Sequence, residues 1–141
     1  MQNFSIKTHR PGTGYLTPHL FILNKGRNSG KPLREACPNC FVIHFQDWED
    51  LDSFYWLAYS LWKANFWHYY LVGSVILFLR LFEFRKEFET KASQMFAEQA
   101  AHQRNIDALR MLEHKEAQFH KNLHLISDMR RVILYRYVSK N

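Results

Sequence analysis

The sequence predicts an α+β fold: a small strand-rich N-terminal half carrying an aromatic helix, followed by a long C-terminal helix. Three observations point there. All four prolines lie at or before Pro38 and all five glycines at or before Gly73, so the last 68 residues hold no helix breaker. Two short runs rich in β-branched and aromatic residues sit in the first third, and a seven-residue apolar repeat fills the last. At 141 residues the chain is long enough for one domain with a real core plus an appendage. The expected division is a domain over residues 1–80 and a helical segment over 81–141.

The strands come first. HLFILN, with Leu20–Leu23 at its centre, and CFVIHF, with Phe41–Phe45, are separated by NKGRNSGKPLREACPN, whose Asn, Gly, Ser and Pro are turn formers. The simplest reading is an antiparallel pair joined by a long basic loop. DWEDLDS then supplies several N-cap candidates, with carboxylates suited to the positive end of a helix.

Nine of the seventeen residues from Phe54 to Tyr70 are Phe, Trp or Tyr. At about 100° per residue, Phe54, Leu57, Ala58 and Leu61 share one side of a helix. Tyr55, Tyr59, Trp62, Phe66 and Tyr69 widen that side into a buried stripe. Trp56, Ser60, Lys63 and Trp67 follow on the opposite face. Aromatics at helical spacing are usually core, so a covering element is one reading of this second face. The other is a partner surface centred on Trp56 and Trp67, because Trp is enriched where proteins meet.

LVGSVILFL, residues 71–79, is nine residues long, under half the roughly 20 apolar residues that a spanning helix needs. It reads as a core segment, with interfacial attachment as the alternative. MQNFSIKTHRPGTGY lacks the apolar stretch of a secretory signal, which places the expected protein in the cytoplasm and off the membrane.

The C-terminal repeat runs Leu112, Phe119, Ile126, Ile133, with a complementary set Leu109, Glu116, Leu123, Arg130, Tyr137. Glu116 and Arg130 interrupt the seam. The expected arrangement is packing against one partner helix, inside the molecule or from a second copy, and a homodimer through this helix follows.

Charge and motifs bound the function. The chain carries 19 Lys+Arg against 13 Asp+Glu, which favours polyanionic partners. Residues 1–36 hold six of those cations against Glu35 alone. Lys25, Arg27, Lys31 and Arg34 in the loop, with Lys63 between its tryptophans, are the candidate DNA-backbone contacts, since such contacts need charge and reach without a strict motif. GRNSGKP fails as a phosphate-binding P-loop: three residues separate its glycines and a proline follows the lysine. Cys37 and Cys40 form a C-x-x-C pair, half of a structural zinc site that His9, His19 or another protomer would have to complete. Reduced thiols in a tight turn are the plainer reading. Redox chemistry is weaker again, because FVIHF after the pair reads as a strand where thioredoxin-like chemistry needs a helix. No H-E-x-x-H pair and no Ser-His-Asp order gives an enzyme positive support.

The order of these features resembles the specificity subunits of type I restriction-modification enzymes. FYWLAYSLW resembles the short aromatic helix of their target-recognition domains, and GSVILFLRL the Gly-Ser turn and apolar strand that follow. Residues 102–138 resemble the long helix, with Gln103 and Ile106 as its Gln-x-x-Ile step. The proline-rich segment usual before that Gln is missing. The resemblance implies a noncatalytic DNA-recognition module, or an inhibitor-like mimic that engages restriction-modification subunits without reading DNA. Through PHLFILNKGRNSGKPL and CPNCFV the chain also resembles, over nearly its whole length, a group of small uncharacterised bacterial proteins.

Overall fold

The computed structural model describes residues 4–139 and has the expected α+β class. Four strands precede the helices: β1 (Phe4–Thr8), β2 (His19–Leu23), β3 (Pro32–Leu33) and β4 (Cys40–Phe45). They form one antiparallel sheet in the order β1-β4-β2-β3. The long loop between β2 and β4 does join an antiparallel pair, and β3 is folded within it.

Alternation along the strands gives the sheet two unlike faces. Ile6, Ile43 and Leu20 stand in register on the inner face, where Ile22, Phe41 and Phe45 extend the apolar layer. The outer face carries Ser5, His44 and His19 in one row and Lys7, Val42 and Phe21 in the next.

Helix α1 (Leu51–Lys63) follows a 3-10 turn at Trp48–Asp50. Asp47 and Asp50, which occupy the two cap positions, make no side-chain cap bond; Glu49, Asp50 and Asp52 instead place negative charge where the helix begins. Phe54, Leu57 and Ala58 are buried in the core as expected, and Leu61 packs at its edge. The aromatic stripe ends sooner than its spacing suggests. Asn65 adopts the left-handed conformation (φ 59°) and breaks the helix, after which Phe66–Tyr70 form a separate 3-10 turn. Trp67 therefore leaves the face of Trp56 and Lys63 and enters the core, while Tyr69 points into solvent.

Helix α2 (Leu81–Ala97) buries Phe84, Phe88, Ala92 and Met95, one helical stripe, against the same layer. An aromatic column runs through this core: Phe45, Phe54, Phe88, Phe84 and Trp67 follow one another with ring centres 4.8–6.3 Å apart. Each such pair contributes about 0.5–1.5 kcal/mol beyond burial.

Residues 71–79 depart from expectation. Val75, Ile76 and Phe78 are exposed and only Leu79 is fully buried. Among the described residues no strand lies alongside to take them into a sheet; the segment folds back on itself through reciprocal Val72 and Phe78 backbone bonds and touches residues 24–26.

Helix α3 (Gln99–Val138) begins after a break at Glu98, so the segment expected to be helical from residue 81 comprises two helices. The chain divides into two compact units between His102 and Gln103. The first extends past the expected limit at residue 80 because α2 supplies much of its core. In the second, the described residues as far as Val138 are a continuous helix whose large apolar residues from Met111 to Val138 are all exposed. No helix among the described residues is long and apolar enough to cross a membrane.

Candidate nucleic-acid interface

The 24–34 loop is a fastened structure. Gly30 N–H donates to the Leu23 carbonyl (2.7 Å), Leu23 N–H to Lys31 (2.9 Å), and the Ser29 hydroxyl to Gly26 (2.6 Å). From the other side Gly26 N–H donates to Leu77 and Leu79 N–H to Asn24. Gly30 has φ +98° and sits on the indole of Trp67, where any side chain would overlap the ring. The loop is thus held on a core tryptophan at a position that only glycine occupies without strain.

Its far limb delivers cations to α1. Lys31 Nζ lies 5.2 Å from the centre of the Trp62 ring, and Lys63 Nζ lies 5.1 Å from the same ring. The Arg34 guanidinium lies 4.5 Å from the Tyr55 ring. Three of the five sequence-predicted cations thereby converge on two aromatic rings about two turns apart on α1. Contacts of this kind contribute about 0.5–1 kcal/mol at exposed sites. They hold long side chains in place while leaving N–H groups free to donate to an anionic oxygen. Trp56 packs edge-on against Tyr59 (5.0 Å) and Tyr55 (5.6 Å) and extends this aromatic strip.

Lys25 and Arg27 are not part of that cluster. Both are exposed, but Lys25 pairs through its backbone with Phe78 at the opposite limb of the loop. Trp67, expected as a partner contact, is buried beneath Gly30 and cannot touch one. Leu112, Phe119, Ile126 and Ile133 are all exposed on α3.

Cys37 and Cys40 lie in the turn entering β4. The Cys40 thiol donates to the Cys37 carbonyl at 3.1 Å, and burial pushes its pKa up to about 11, the reverse of an activated redox thiolate. His9 N–H donates to the Cys40 carbonyl (3.0 Å), but its ring bonds to Tyr15 and that of His19 to Thr17. Within the chain, neither His9 nor His19 completes the Cys37 and Cys40 pair: among the described residues no three His, Cys, Asp or Glu side chains are placed to hold a metal ion.

Residues 6–136 match a family of unknown function, DUF6943. The chain belongs to this family. No curated protein and no solved structure matches it.

In this family member, sequence spacing misses two features. It places Tyr55 and Trp62 in the buried stripe, yet each offers a ring face to a cation; their 55-59-62 spacing is visible, but the approach of Lys31 and Arg34 is a long-range contact. The second is a histidine cluster on the outer sheet face. The Tyr15 hydroxyl bonds to His9 Nδ1 (2.9 Å), and the Tyr15 ring centre lies 4.8 Å from His44 and 5.4 Å from His19. His19 Nδ1–H donates to the Thr17 carbonyl at 2.7 Å. Burial, with Lys7 and His19 nearby, lowers the His44 pKa, and its Nε2 is buried without a hydrogen-bond partner among the described residues.

Proposed function

We propose that this protein is a noncatalytic cytoplasmic module that binds nucleic acid, in the way its resemblance to restriction specificity subunits implies. One observation supports the reading above others: Lys31, Arg34 and Lys63, separated in sequence, are gathered onto the half-buried rings of Trp62 and Tyr55. Cations held at fixed spacing beside stackable rings suit a phosphate backbone and its bases. Lys25 and Arg27 add charge at the loop's other limb.

Duplex titrations at several salt concentrations test this. Each neutralised phosphate contributes about 0.9 to the slope of log affinity against log salt. The triple variant Lys31→Ala, Arg34→Ala, Lys63→Ala is expected to flatten the slope by roughly 2 to 3 units, with a smaller change from Lys25→Ala plus Arg27→Ala. No binding by wild type at low salt sinks the reading.

The alternative is a protein-interaction or inhibitor module that mimics a specificity subunit without reading DNA. The exposed apolar row of α3 favours it, since such a row suits a partner helix rather than a phosphate backbone.

A further inference from the structure

The exposed seam of α3 has a charge pattern that selects its partner. Leu109, Glu116, Leu123, Arg130 and Tyr137 occupy one heptad position, and Leu112, Phe119, Ile126 and Ile133 the complementary one. From Leu109 to Tyr137 the seam is about 42 Å long at 1.5 Å per residue. Its large apolar members between Leu112 and Tyr137 are half or more exposed. Two polar residues interrupt it. They are opposite in charge, and they lie seven residues before and seven residues after Leu123.

We infer that this face docks a second copy of the same helix running antiparallel, centred beside Leu123. In that arrangement Glu116 of each copy falls within about one turn of Arg130 of the other, giving two reciprocal ion pairs across the seam. A parallel pair would instead stack Glu116 on Glu116 and Arg130 on Arg130, leaving like charges together in an apolar interface. Buried charges tolerate opposite partners and penalise like ones, so the two interruptions set orientation and register at some cost in stability. Neither residue is engaged within its own chain among the described residues; the nearby acidic group, Asp128, pairs with Arg131 and His124 off the seam. The inference is independent of nucleic-acid binding, because it rests on residues 109–137 alone.

Mass measurement by light scattering or sedimentation at tens of micromolar protein is the first test. Wild type is expected to be a dimer. Glu116→Arg and Arg130→Glu, each creating like-charge contacts, are expected to be monomers, and the double swap Glu116→Arg with Arg130→Glu a dimer again. A wild-type monomer overturns the inference, and so does a dimer that ignores both single reversals.

Orientation is read separately with the Arg130→Lys variant and a zero-length carbodiimide. Within one helix residues 116 and 130 lie about 21 Å apart, so an amide between the Glu116 carboxyl and the amine introduced at position 130 joins two chains, and only in the antiparallel sense. Its recovery in the dimer band supports the arrangement. Dimers lacking it, or wild type found only with a different protein on α3, overturn it.

Discussion

Phe88 and Phe119 are the same residue at helical positions with similar apolar spacing around them, yet Phe88 has no solvent exposure and Phe119 keeps 66%. The difference lies in the chain around each. Residues before His102 bring a sheet, α1 and α2 onto one layer, so an apolar stripe finds its cover locally. The described residues after it, as far as Val138, form one helix, and among them no other element of their own unit lies beside it. Periodicity thus says that a face wants covering; the order of elements decides whether the chain covers it.

The largest contrast is between the two phenylalanines themselves. Phe88→Ala is expected to destabilise the first unit by about 3–5 kcal/mol, whereas Phe119→Ala should move the same transition by under about 0.5 kcal/mol. All four tryptophans lie between Trp48 and Trp67, so fluorescence during urea titration reports the first unit alone. A large shift from Phe119→Ala would break the comparison.

A finer contrast lies inside the first unit. Gly30 and Gly26 both have positive φ, but an added Cβ at Gly30 meets the Trp67 indole while one at Gly26 meets nothing within 4 Å. Gly26→Ala should cost roughly 1–2 kcal/mol in backbone strain, and Gly30→Ala about 1–3 kcal/mol more through overpacking. Equal midpoint shifts in denaturant would mean that the loop is not seated on the core.

The smallest expected effect is set by pH. His44 and His102 both have pKa values lowered from 6.5, chiefly by burial, so the folded state holds them neutral and the unfolded state protonates more readily. Their contribution is present above about pH 6.5 and lost as pH falls through the lower folded values. Thermal midpoints should fall between about pH 7.5 and about pH 5.5, and the double variant His44→Gln, His102→Gln should flatten that fall. An unchanged slope would remove both histidines from the account.

Much of the first unit is legible in the sequence because its signals are local. β-Branched runs bounded by turn residues mark β2 and β4, and the Phe54, Leu57, Ala58 spacing marks the buried side of α1. The failures have physical causes too. Helical spacing misplaces Trp67 because it carries straight past Asn65, although Asn is among the residues that visit the left-handed conformation most readily. The break at Glu98 has no proline or glycine to announce it. Val75 and Ile76 read as core because an apolar run does not reveal whether a strand lies beside it. In the candidate site the cations are legible from composition, whereas their ring partners are not, since Arg34 meets Tyr55 only after the sheet has closed.

The join between residues 24–26 and 77–79 has a consequence for how the protein folds. Two backbone bonds there close a stretch of chain that includes β3, β4 and all of α1, so its loop entropy is lost before the bonds repay it. Contacts of such separation form after the local helices and hairpin pairs that bring their ends together. The limb bearing Lys25 and Gly26 is then the later of the loop's two limbs to close, and a chain emerging from the ribosome completes it only after residue 79 has been made.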